Sequence, residues 1–173
     1  MPRHIMLVGL PGSGKSTVGQ LVAEKLPALF IDIDALLVRQ TGRPVAQIFG
    51  MVGEARFRQM ERDAVDAAWG GDPAVIVPGG GWAAQPGQME AARECCLLIY
   101  LRCLAITAAK RSQQGEVRPL LAGATDPVER MRALLQAREP YYTLAHFEVG
   151  ADGGPPQAIA EEVVRLAQRH GGW

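Results

Sequence analysis

The sequence predicts an α/β fold, a layered sandwich in which helices cover a mostly parallel sheet. Two observations carry that prediction. Short apolar runs alternate along the chain with helix-length periodic segments. The runs are continuous rather than alternating polar with apolar, as expected of strands covered on both faces.

In chain order, the strand candidates are 5–9, 28–33, 74–77, 97–102 and 147–149. Helical periodicity falls at about 15–26, 34–41, 53–69, 86–93, 103–113, 127–145 and 156–169. Two stretches break the rhythm. Residues 42–52 hold a Gly-x-Pro turn and a short amphipathic piece, Val45-Ala46-Gln47-Ile48-Phe49. Residues 112–126 are polar, with Gly115, Pro119 and Gly123, and have the character of a lid over a site. No repeat or linker divides the 173 residues, so a single domain over 1–173 is expected.

Composition excludes several function classes. Residues are 48% hydrophobic and 21% charged, which argues against a disordered or fibrous chain. Eighteen basic residues balance eighteen acidic ones, so there is no cationic excess with which to bind nucleic acid or a membrane surface. The N-terminal apolar stretch is too short for a secretory signal or a membrane span. Cys95, Cys96 and Cys103 form no C-x-x-C pair and read as small core residues, consistent with a reducing cytoplasm. His4, His146 and His170 are too scattered to suggest zinc.

The first strand runs into Gly9-Leu10-Pro11-Gly12-Ser13-Gly14-Lys15-Ser16-Thr17, a complete P-loop in strand–loop–helix context. Backbone N–H groups from Gly12 to Thr17 are expected to turn around phosphate oxygens, helped by the positive end of the following helix. Lys15 is expected to reach the β- and γ-phosphates, and Ser16 to ligate Mg²⁺. The motif specifies ATP or a similar triphosphate but no reaction. No Asn-Lys-x-Asp segment for reading guanine is present.

Acceptor candidates follow. Asp32 and Asp34, two apart at the carboxyl end of the second strand run, are expected to point to one face. One would support Mg²⁺ and the other meet an acceptor hydroxyl, although Asp34 also stands where a helix N-cap belongs. Arg58, taken alone, reads as a solvated surface residue. Gly79-Gly80-Gly81 at the end of the third strand allow a ligand to approach the backbone closely.

Together these motifs resemble the shikimate kinase family. The similarity rests on residues 9–17, Asp32-Ile33-Asp34, Thr41 to Phe49, Gly53-Glu54 with Phe57-Arg58 and Glu61, Gly79-Gly80-Gly81, Arg118-Pro119-Leu120-Leu121 and Arg138-Glu139-Pro140-Tyr141-Tyr142. The resemblance implies a P-loop fold with a five-stranded parallel sheet in the order 2-3-1-4-5. It also implies transfer of the ATP γ-phosphoryl group to the 3-hydroxyl of shikimate. The acceptor region would span about 34–61 and the lid about 112–126.

By the same resemblance, Lys15, Asp34 and Arg118 would be catalytic, and Arg58 and Arg138 would hold the acceptor carboxylate, a task that suits the planar guanidinium. Gly79, Gly80 and Gly81 would line the acceptor pocket, and Asp32 with Ser16 would hold Mg²⁺. Arg111 would stack on adenine, with Pro155 or Pro156 on its other side. A monomer is expected. Three departures from the family pattern stand out: Trp82 directly after the glycines, Pro78 directly before them, and apolar Ile33. Trp82 either remodels the acceptor pocket or enters the core. The alternatives are a same-fold kinase for another hydroxy acid such as gluconate, and a non-catalytic ATP-binding regulator.

Overall fold

The computed structural model describes residues 1–113 and 126–173. Arg118 and almost all of the expected lid lie outside the described residues.

Five strands form one parallel sheet: β1 (His4–Val8), β2 (Leu29–Asp32), β3 (Ala74–Val77), β4 (Cys96–Arg102) and β5 (Phe147–Gly150). Their order is β2-β3-β1-β4-β5, which bears out the expected topology. Every residue of β1 and β3 is buried. That burial explains their unbroken apolar sequence, because helices cover the sheet on both sides. The register aligns Ile5 with Val75 on one side and with Leu97 on the other. The loops after β1 and β3 therefore emerge side by side at one end of the sheet.

The described helices are α1 (Lys15–Lys25), α2 (Ile33–Thr41), α3 (Val45–Val52), α4 (Glu54–Trp69), α5 (Gln88–Cys95), α6 (Ala105–Gln113), α7 (Pro127–Tyr142) and α8 (Pro156–His170). Helix α1 packs on α8, α6 on α7, and α2 on α3 and α4. The break at 42–52 resolves into a turn and a full helix. Gly42 ends α2 at φ 69°, a conformation natural to glycine, and α3 starts after Pro44.

Three expectations need correction. The strand and helix around the paired carboxylates divide earlier than predicted. Asp32 ends β2 and is itself the cap of α2, its Oδ1 accepting from the Ala35 N–H at 3.1 Å. Asp34 sits in the first turn of that helix, so the two carboxylates do not share a strand face. Arg58 is not a surface residue: it is 7% exposed, on the buried stripe of α4. Cys96 and Cys103 are buried as expected, whereas Cys95 is half-buried. Burial holds the Cys96 and Cys103 thiols above their ordinary pKa, so they remain protonated and unreactive.

Trp82 enters the core. It is fully buried and meets Trp69 edge-on, with ring centroids 6.1 Å apart. Its indole does not line the pocket at the carboxyl ends of the strands.

Candidate active site

A pocket of about 680 Å³ opens at the carboxyl ends of β1, β2 and β3. The P-loop supplies one wall through Gly12, Gly14, Lys15, Ser16 and Thr17. Asp32, Asp34, Gly79, Gly80 and Arg111 line it as well, whereas Ser13, Arg58, Gly81, Arg138 and Pro155, also in the predicted set, do not. Carboxylates that do not share a strand thus still line one pocket, Asp32 from the end of β2 and Asp34 from the first turn of α2.

The P-loop is held tightly. Gly12 lies at φ 79°, and a Cβ there would collide with the Ala108 carbonyl and come 2.6 Å from Ser112 Oγ. Only glycine lets the loop lie this close to α6. Lys15 is 8% exposed, and its ammonium donates to the Gly9 and Leu10 carbonyls, each at 2.8 Å. Ser16 Oγ donates to Asp32 Oδ2 at 2.5 Å, which joins the P-loop helix to the end of β2. Arg111 spans from α6 to the Ser13 carbonyl at 3.2 Å and the Ala151 carbonyl at 2.8 Å. Pro155 caps α8 in an exposed position.

The acceptor side has a different character. Each glycine of the triplet lies against one buried charged side chain. A Cβ on Gly79 would strike Glu61 Oε1, one on Gly80 would come 3.2 Å from Arg138 Nη1, and one on Gly81 would come 2.5 Å from Arg58 Nη2. Arg138 comes from α7, whereas Arg58 and Glu61 lie one turn apart on α4 and pair at 2.6 Å. Among the described residues, Glu61 Oε1, Arg138 Nη1 and Arg58 Nε are buried without a hydrogen-bond partner. Such groups are costly in a folded protein and point to a polar ligand.

Burial raises the Glu61 carboxyl above its ordinary pKa, and neighbouring Asp34 adds to the rise, while Arg58 and Arg138 oppose it. Glu61 and Tyr142 are residues to which the motif reading gave no role. Tyr142 donates to the Gly80 carbonyl at 2.7 Å. Both could have been found by helical spacing, three residues beyond Arg58 and four beyond Arg138.

Among the described residues, no group of three or more His, Cys, Asp or Glu side chains is placed to hold a metal alone. The hydroxyl–carboxylate pair of Ser16 and Asp32 nonetheless suits Mg²⁺, which takes few protein ligands and completes its shell with phosphate and water.

A model of the family described as shikimate kinase matches residues 11–168. The shikimate kinase of Symbiobacterium thermophilum is 41% identical over 171 residues, covering 97% of this chain and 98% of that protein. The chain belongs to the shikimate kinase family. The shikimate kinase of Mycobacterium avium is likewise 41% identical, over 95% of this chain and 93% of its own. Among solved structures, Acinetobacter baumannii shikimate kinase in complex with shikimate superposes with a TM-score of 0.91. It is 30% identical, over 98% of this chain and 94% of that one. A gluconokinase from Sinorhizobium meliloti has a TM-score of 0.66 at 20% identity, a likeness of fold alone. Family membership makes the chain a kinase that uses ATP.

Proposed function

We propose that this chain transfers the γ-phosphoryl group of ATP to the 3-hydroxyl of shikimate, giving shikimate 3-phosphate and ADP. The observation that carries the reading is the meeting of three buried charged groups at Gly79-Gly80-Gly81, each with one polar atom left without a hydrogen-bond partner. Two are guanidinium donors and one is a carboxylate acceptor, which suits a small acid bearing both a carboxylate and hydroxyls.

In this reading Arg58 and Arg138 hold the acceptor carboxylate, and Asp34 orients the reacting hydroxyl. The acceptor oxygen bonds to the γ-phosphorus while the bond from that phosphorus to the bridging oxygen of ADP breaks. The hydroxyl proton passes to Asp34. Lys15 and Arg118 offset charge on the transferring oxygens, so catalysis is positioning and electrostatics rather than covalent chemistry. Ser16 and Asp32 would hold Mg²⁺, which neutralises phosphate charge. Gly12 to Thr17 cradle the phosphates, and Arg111 with Pro155 flanks the base.

The reading includes a monomer in the cytoplasm, with no nucleic-acid or membrane partner. Balanced charge and free cysteines support it. Among the described residues, no helix is long and apolar enough to cross a membrane.

The test is ADP release with ATP and Mg²⁺, offering shikimate, quinate and gluconate in parallel. Turnover with shikimate is expected, with ATP hydrolysis slow when no acceptor is present. Turnover with gluconate and none with shikimate would overturn the assignment.

A further inference from the structure

We infer that Tyr142 is a positioning residue for the acceptor: its hydroxyl fixes the Gly80 peptide, and through it the seat of the Arg138 guanidinium, without touching substrate. This rests on the acceptor reading given above.

Residues 79–81 have no side chains with which to anchor themselves, so outside donors must hold their backbone. Three do. The Gly79 carbonyl accepts from the Trp82 N–H at 3.1 Å, the Gly81 carbonyl from Gln85 Nε2 at 3.2 Å, and the Gly80 carbonyl from the Tyr142 hydroxyl at 2.7 Å. The first two donors lie just downstream of the triplet. Tyr142 alone of the three comes from α7, the helix that carries Arg138. Residues four apart on a helix share a face, so Arg138 and Tyr142 approach Gly80 together. Arg138 Nη1 lies against the α-carbon side of Gly80, while Tyr142 holds its carbonyl.

The tyrosine is itself firmly placed. It is fully buried, and its ring meets Tyr100 of β4 with centroids 5.1 Å apart. Tyr100 sends its own hydroxyl elsewhere, to Glu139 Oε2 at 2.7 Å. Burial raises the Tyr142 phenol above its ordinary pKa, and the Arg138 and Arg58 guanidinium groups beside it oppose the rise. The pair Tyr142–Arg138 thus measures out the gap between α7 and the glycine loop, the gap into which a carboxylate must fit.

Tyr142→Phe keeps the ring and removes the hydroxyl. Loss of a held carbonyl beside a substrate-binding arginine is expected to raise the KM for shikimate about tenfold, with kcat within about twofold. The KM for ATP and the Tm should stay near wild type. Tyr100→Phe, which removes the hydroxyl of the other ring, should leave the KM for shikimate unchanged. An unchanged KM for shikimate in Tyr142→Phe would overturn the proposal. So would a joint fall of kcat, ATP affinity and Tm, because that is the mark of general packing, or an equal KM rise in Tyr100→Phe. A wild-type protein that phosphorylates gluconate and ignores shikimate would refute the substrate reading alone. The same KM comparison would then be made with gluconate.

Discussion

On the nucleotide side of the pocket, Lys15, Ser16 and Arg111 each hold protein partners: the Gly9 and Leu10 carbonyls, the Asp32 carboxylate, and the Ser13 and Ala151 carbonyls. On the acceptor side, Arg58, Arg138 and Glu61 are more deeply enclosed, yet each leaves a polar atom unsatisfied. The P-loop is thus a scaffold that holds its shape through its own hydrogen bonds, with Ser13 Oγ the one buried hydroxyl in it left over. The glycine triplet and its arginines leave polar atoms without partners, which in the proposed reading the acceptor completes. Specificity belongs to the second kind of site, since an analogue lacking the matching groups leaves buried charges unpaired.

Three substitutions sharpen or break this contrast. Lys15→Ala, which in the proposed reaction removes a positive charge beside the transferring phosphoryl group, should lower kcat by about 10³-fold. Steady-state ADP release checks it, and a loss below tenfold would deny Lys15 its catalytic place. Arg138→Met should lower kcat/KM for shikimate by about 100-fold and leave the KM for ATP alone. Its Tm should equal or exceed that of wild type, because an apolar side chain of similar length replaces a buried guanidinium whose Nη1 has no partner. A clear drop in Tm would show that Arg138 serves the fold rather than the ligand.

The smallest effect concerns Glu61. A carboxyl whose folded pKa is raised binds its proton more tightly in the folded than in the unfolded state. The ligand-free protein therefore loses stability as pH rises from the ordinary carboxylate value through the raised one. Glu61→Gln should remove that slope from a plot of Tm against pH, with a stability change of about 1–2 kcal/mol at neutral pH. An unchanged slope would mean that Arg58 cancels the effect of burial on the carboxyl.

The nucleotide side was legible because its chemistry is written in consecutive residues. Nine positions from Gly9 to Thr17 specify strand end, loop and helix start at once. The glycine triplet was equally visible. Its partners were harder, because what defines Arg58 is where α4 meets the sheet. A charged residue in an acidic and basic helix segment reads as surface until Glu61, one turn on, is seen to be buried beside it. The Asp32–Asp34 spacing placed both carboxylates at one pocket through incorrect geometry, since a strand can end and a helix cap begin at the same aspartate. Trp82 illustrates the same limit: whether an indole faces a ligand or a core depends on Trp69, thirteen positions away.

The wiring of the sheet has a consequence for how the protein comes into being. Its first strand is central, and it pairs with strands that follow much later: Ile5 with Val75, and His4 with Cys96. The phosphate loop leans in turn on Ala108 and Ser112. A ribosome adding about 5–20 residues per second needs roughly 5–20 s to supply those partners. Until then the Gly9–Thr17 segment has the composition of a nucleotide cradle and none of its support. The outer support of the phosphate loop is therefore complete only when most of the protein has been made.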